Sequence, residues 1–221
     1  MRQLLVCLFS MISLLAAHAE SKSYTINDMF TISVDSKLEL RDMDGLYVKK
    51  TRERNLPVNS DNVIVFQQAG LNNDKSAAYQ KYARIMIQTE NGNDGDYAYC
   101  DRFQELSDSD MVFFNRLAYQ ELTPQMRMTI KPSTKGRFLK NGYYCIMTSY
   151  QRSGVYGNVD VSIYYFFNNS QFAKILYSYK NSEKEYWQKA MDDAINSFRW
   201  IKVNGKSGGG NDEAIDRECS Y

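Results

Sequence analysis

The sequence predicts an α+β domain: a single antiparallel β-sheet of about six strands with amphipathic helices packed on it. Three observations lead there. Short segments with a two-residue apolar period recur between residues 30 and 179. Two longer segments, near 108–122 and 183–198, switch to a helical period. The last two strands are separated by only Asn168-Asn169-Ser170-Gln171, a spacing that makes a hairpin and so antiparallel neighbours.

The elements follow in order. Phe30, Ile32 and Val34 alternate with Thr31 and Ser33. Val63 to Phe66 is a short apolar run, and Ala83, Ile85 and Ile87 alternate with Arg84 and Met86. Residues 74–80 fit either period, because Tyr79, Tyr82, Ala83 and Met86 also share a helical face. Tyr144, Ile146, Thr148 and Tyr150 make a further strand, Val159 to Phe167 another, and Ala173 to Tyr179 the last. In the first helix Met111, Phe114, Leu117, Ala118 and Leu122 point inward; Ser107 with Asp110 starts it and Thr123-Pro124 ends it. In the second, Tyr186, Trp187, Ala190, Met191, Ala194, Ile195 and Phe198 form one stripe, and Ser182 with Glu185 reads as a capping box.

The two ends differ from this middle. Residues 1–19 carry Arg2, an apolar stretch from Leu4 to Ala16, and the small-x-small tripeptide Ala17-His18-Ala19. That is the form of a signal peptide cleaved before Glu20, and the apolar run is short for a membrane span. The expected organisation is a signal peptide at 1–19, one α+β domain at 20–203 and a flexible tail at 204–221, where glycines precede a charged run with no apolar period. The chain is then exported, periplasmic or secreted, with no transmembrane segment in its mature part.

Composition excludes several chemistries. The one histidine of the chain, His18, falls in the predicted leader, so the mature chain has no imidazole for a Ser-His or Cys-His pair. No Gly-x-Ser-x-Gly elbow, Cys-x-x-Cys pair or phosphate-cradling glycine loop occurs. Glu90 to Asp96 looks like a calcium loop, but Gly92 falls where a ligand belongs, and turn chemistry explains it better. Removing residues 1–19 takes Arg2 and no acid from the 27 basic and 26 acidic residues, so the charges balance and nucleic acid is not an expected partner. No catalytic residue, metal ligand or cofactor is expected. Three cysteines remain beyond the leader; Cys219 is near the C-terminus, leaving Cys100 and Cys145 either as a disulfide or as two buried thiols.

Charge is nevertheless uneven. Glu90 to Asp110 holds seven acids and one base, and Thr123 to Val159 holds six bases and no acid. Arg127, Lys131, Lys135, Arg137, Lys140 and Arg152 are therefore a candidate interaction face, set against the alternative of two solvated loops that neutralise each other. Lys49, Lys50, Arg52 and Arg54, interrupted by Glu53, read as an exposed turn. The late strands are rich in tyrosine, at 143, 144, 150, 156, 164, 165, 177 and 179; these either line a binding face or fill a sheet covered by helices.

The early strand Phe30 to Val34, the strands Ile64 to Gln68 and Tyr82 to Met86, the late hairpin ending Tyr177-Ser-Tyr179, and the last helix with Trp187 and Asn196-Ser-Phe198 occur in an order that resembles the PsbP-like fold, an α/β/α sandwich. That fold is shared by the extrinsic PsbP subunit of photosystem II, a Ran-binding nuclear import factor and many small exported bacterial proteins. The resemblance implies a binding or accessory protein without a shared active site, and no functional residue of the family maps onto a motif here. The expected function is an exported non-enzymatic accessory or binding protein of the bacterial cell envelope, its partner an unknown protein or envelope component. The alternative is a carboxylate-dependent hydrolase acting on glycans.

Overall fold

Alternation of apolar side chains builds a sheet here that is buried on both faces. The computed structural model describes residues 20–56, 58, 62–97, 99, 105–154 and 157–203. Ten strands occur among them: β1 (Ser21–Ile26), β2 (Phe30–Asp35), β3 (Leu38–Leu40), β4 (Ile64–Gln68), β5 (Ala83–Asn91), β6 (Ser133–Phe138), β7 (Tyr144–Gly154), β8 (Gly157–Asn168), β9 (Gln171–Lys180) and β10 (Arg199–Trp200). Four α-helices accompany them: α1 (Leu46–Glu53), α2 (Asp108–Gln120), α3 (Pro124–Arg127) and α4 (Lys184–Asn196).

The fold is α+β, as expected, but the strands divide into two antiparallel sheets rather than one. Seven lie in the order β3-β4-β5-β9-β8-β7-β6, and β1-β2-β10 form a second, three-stranded sheet. The strands missing from the sequence reading have a common physical reason. β3 and β10 are only three and two residues long, and β1 and β6 read Ser-Lys-Ser-Tyr-Thr-Ile and Ser-Thr-Lys-Gly-Arg-Phe, too polar to show a period. All four are edge strands, where one row of backbone groups needs no partner and side-chain patterning is relaxed.

One face of the large sheet presents Phe66, Ile85, Ile87, Cys145, Met147, Tyr164, Phe166, Ile175 and Tyr177 to α4 and the small sheet. Trp187, Met191, Ala194 and Ile195 of α4 and Phe30, Ile32 and Val34 of β2 complete that core. The opposite face presents Ile146, Val161, Ile163 and Tyr165 to Phe114 and Ala118 of α2. The β8–β9 hairpin turns through Asn169 and Ser170, with Asn169 at φ 59°, a conformation asparagine tolerates.

The helix boundaries follow local chemistry. α2 begins at the expected capping box: Asp110 N donates to Ser107 Oγ (3.2 Å) and Ser107 N to Asp110 Oδ2 (3.1 Å). α4 does not use Ser182 and Glu185. Residues Asn181–Glu183 are already wound into a 3-10 turn that runs into the helix. Glu183 instead accepts from Trp187 Nε1 and from Tyr82 N, both at 3.0 Å, so tertiary donors hold the carboxylate at this helix start. The basic segment Lys49 to Arg54 is not a turn but most of α1, whose single buried residue, Val48, gives too little period to read. Of the predicted α4 stripe, Tyr186 is exposed, with the ammonium groups of Lys37 and Lys81 over its ring. Among the described residues no helix is long and apolar enough to cross a membrane.

Candidate functional site

The β6–β7 hairpin and the outer flank of α4 enclose a groove of about 500 Å³. Its walls are Arg137 and Lys140 on one side and Glu185, Gln188, Lys189, Asp192, Asp193 and Asn196 of α4 on the other. The hairpin turn, with Gly142 at φ 86°, is tied to the end of α4: Lys140 N donates to Asn196 Oδ1 (3.3 Å) and Asn141 Nδ2 to Phe198 O (2.7 Å). Those bonds fix the width of the groove.

Two of its lining residues, Arg137 and Asp192, are joined behind the walls by a line of buried hydroxyls. Arg137 Nη1 donates to Tyr164 Oη (2.7 Å), Tyr164 to Tyr177 Oη (3.2 Å), and Tyr177 to Asp192 Oδ1 (3.5 Å). Burial first, then the neighbouring Tyr177, pushes the Tyr164 phenol well above its ordinary range, and burial likewise raises Tyr177. Both phenols stay protonated near neutral pH, so the line is a fixed set of dipoles. Asp193 is ion-paired with Lys189, one turn away.

The candidate basic face is divided. On β6, Lys135 and Arg137 face α4, because their register partners Met147 and Cys145 belong to that core. Arg152 on β7 faces the other way, with Nη2 on Tyr82 Oη (3.3 Å). Arg127 is spent on the end of α2: its Nε donates to Tyr119 O (2.8 Å), which also accepts from Leu122 N, and to Leu122 O (3.0 Å). Lys131 is exposed ahead of β6. Only Arg137 and Lys140 of the six line the groove.

The remaining predicted positions are quickly placed. Cys145 is a free, buried thiol whose pKa burial raises to about 12; Cys100 lies outside the described residues, as do 1–19, Tyr156 and 204–221. Tyr144, Tyr164, Tyr165, Tyr177 and Tyr179 are buried and Tyr143 and Tyr150 half-buried, so these tyrosines fill the sheet faces rather than line an open one. Of the acidic Glu90 to Asp96 segment, Glu90 and Asn91 end β5 and the rest is a loop closed on itself. Asp96 Oδ2 accepts from Asn93 N (2.6 Å), and Asp94 accepts from Asn169 of the hairpin. A Cβ on Gly92 would lie 2.7 Å from Asp96 Oδ2, so close approach keeps glycine there.

A second polar cluster, on the sheet face away from α4, was not anticipated. Arg41 is buried, its Nε donating to Gln67 Oε1 (2.9 Å), and Gln67 Nε2 donates to Asn72 Oδ1 (2.9 Å). Burial, and then the positive charge of Arg84, lower Arg41 to about 10, which leaves it charged at neutral pH. Arg84 lies over the Tyr82 ring, 5.9 Å from guanidinium carbon to centroid. The available signal was alternation itself: Arg84 sits between Ala83 and Ile85 on a strand whose outward face was never assigned a cover.

No protein-family model matches the chain, and none of the curated proteins searched matches it. Among solved structures it is similar to the solution structure of cyanobacterial PsbP (CyanoP) from Synechocystis sp. PCC 6803, at 12% identity and a TM-score of 0.48, over 82% of this chain and 93% of that one. It is also similar to a crystal structure from Bacteroides thetaiotaomicron VPI-5482, at 9% identity and a TM-score of 0.45, over 82% of this chain and 48% of that one. The chain thus spans about half the length of the Bacteroides protein. The first similarity is to the family that the element order resembles; these likenesses are of fold and bring across no residue role.

Proposed function

We propose that the protein is an exported, non-enzymatic accessory or binding module of the bacterial cell envelope, and that its partner, a protein or envelope component, seats in the groove between the β6–β7 hairpin and α4. The observation that carries this reading is the groove itself: its walls hold charges of both signs, and Arg137 and Asp192 are tied behind them by two buried tyrosine hydroxyls. Such a surface suits complementary charge on a partner, which sets specificity and encounter rate. Export rests on residues 1–19. Retention of a partner from native envelope extract by the parent, and its loss with Lys140→Glu at unchanged melting temperature, supports the reading. A monomer that retains nothing, or a protein with measurable turnover, overturns it.

The glycan-hydrolase alternative draws on Glu185, Asp192 and Asp193, three carboxylates lining one groove. Two of them are engaged, Asp192 by Tyr177 and Asp193 by Lys189, which is a poor state for a general acid and its partner. A glycan panel decides: product formation abolished by Asp192→Asn favours hydrolysis, and no product on any substrate removes it.

A further inference from the structure

β6 is one edge of the seven-stranded sheet, so one row of its backbone groups has no neighbouring strand. The hairpin turn shows which groups these are. Leu139 N donates to Tyr143 O (2.8 Å), so Leu139 turns its backbone toward β7. Backbone direction alternates along a strand. Arg137, Lys135 and Ser133 therefore do the same, and Thr134, Gly136 and Phe138 point theirs away from the sheet. Among the described residues no group bonds to the outward N–H and C=O of these three. The other edges differ. β3 and β10 are three and two residues long, and the one charged side chain of β1 is Lys22.

The edge is held in place from behind. Thr134 Oγ1 bonds to Asn115 Oδ1 (2.8 Å) and to Thr148 Oγ1 (2.7 Å), and the turn beyond β6 is tied to the end of α4. Its two sides differ in chemistry. Lys135 and Arg137 stand on the α4 side, with Lys140 beyond them at the turn. Among the described residues none of the three makes an ion pair. Phe138 is exposed on the opposite side. Between them Gly136 has no side chain to obstruct the approach of another backbone. Lysine on an edge strand also repels unwanted strands, and that repulsion is selective. A second copy of β6 would set Lys135 and Arg137 against like charges, whereas a strand with acids at alternate positions would set carboxylates against them.

We propose that β6 takes an extended segment of a partner protein as an added strand, with acidic side chains on the α4 side and apolar ones beside Phe138. Backbone bonds to Gly136 and Phe138 hold the segment, and alternate carboxylates meeting Lys135 and Arg137 select it. This rests on the reading of the groove as a partner site and deepens it, because the acidic side of the added strand opens onto the groove wall at Arg137 and Lys140. The partner is then a protein rather than another envelope component.

The probe is acetyl-Asp-Val-Asp-Val-Asp-Val-amide, titrated into the purified protein at low ionic strength and followed by amide NMR with hydrogen exchange. Saturable binding that weakens with added salt is expected. The amides of Gly136 and Phe138, fast to exchange in the free monomer, should become protected, while those of Lys135 and Arg137, already bonded to β7, change little. The same peptide with lysine in place of aspartate should not bind. Gly136→Pro removes an outward N–H and no bond to β7, so it should weaken binding about tenfold or more at a nearly unchanged melting temperature. Lys135→Glu should weaken it about fivefold. Absence of saturation, equal binding of the lysine peptide, or equal binding by the parent and Gly136→Pro overturns the proposal. So does protection of Gly136 and Phe138 in the protein alone, since a second copy or another part of the chain then occupies the edge. Should Gly136→Pro fail to fold, the fully N-methylated peptide replaces it as the control, and unchanged binding of that peptide overturns the proposal equally. The groove reading is judged separately with native envelope extract. A partner lost with Lys140→Glu but kept by Gly136→Pro overturns strand addition alone, and a parent that retains nothing overturns the groove reading, with the edge still decided by the titration.

Discussion

Truncating Trp187 is the most direct probe of what holds α4 to the sheets. The side chain is 2% exposed and sits in the core shared by α4, β2 and the central strands. Trp187→Ala leaves a cavity where the indole was, at a cost of about 3–5 kcal/mol. The N–H bond to Glu183 is lost with it, although Glu183 keeps the Tyr82 N–H and stays near Lys180. At about 2–4 °C per kcal/mol for a domain of this size, the melting temperature should fall on the order of 6–20 °C. That is a large share of the roughly 5–15 kcal/mol that stabilises a typical domain. Trp187→Phe separates the two contributions: it keeps most of the ring and loses the 3.0 Å bond to Glu183, so about 1.5–3 kcal/mol is expected. Urea and thermal melts of both beside the parent, with Lys189→Ala on the outer face as the unchanged control, supply the comparison. A Trp187→Ala protein as stable as the parent would refute the packing and turn attention to the indole as a ligand contact.

Three further outcomes are expected. Cys145, buried with its pKa raised to about 12, should escape maleimide labelling in the native protein and react once denatured, as peptide mapping by mass spectrometry would show. Stability should fall as pH rises above about 10, the unfolded phenol value, because buried Tyr164 keeps its proton while the unfolded chain loses it; below that pH its contribution is fully present, and Tyr164→Phe should flatten the decline seen by alkaline thermal melts. Arg127→Ala should lower stability by about 1 kcal/mol in urea melts through loss of its bonds to the Tyr119 and Leu122 carbonyls, and leave partner retention unchanged; loss of retention without loss of stability would return Arg127 to the interaction face.

What could be read from the sequence was whatever had a strong period. The stripe from Trp187 to Phe198 and the alternation along Val159 to Phe167 each report burial directly, because a side chain that must be covered repeats at the pitch of its element. Edge strands such as Ser133–Phe138 escaped for the converse reason: covered on one side at most, they have no pattern to display. The groove was half legible. Arg137 and Lys140 stood out as bases, but Tyr164, Tyr177 and Asp192 reach them only through pairing between β8 and β9 and the docking of α4, contacts remote in sequence. Arg84 passed unremarked because an arginine alternating with apolar residues is usually solvated, and its unpartnered Nε is a property of the fold alone.

The parity of β7 explains why six clustered bases do not make one face. Arg137 pairs in register with Cys145, so both point toward α4. Arg152 lies an odd number of residues beyond Cys145 on the same strand, and side chains there alternate strictly, so it must point the other way. A basic run crossing a hairpin is therefore dealt out to both sides of the sheet, and its local charge density says nothing about density on either face. What matters is what each side supplies in return. On the α4 side Asp192 terminates the line that starts at Arg137, so the charge is answered within the fold. On the other side Arg152 donates to the Tyr82 hydroxyl, and Arg84 lies over the Tyr82 ring, so there the guanidinium groups pack on an aromatic side chain rather than end at a carboxylate.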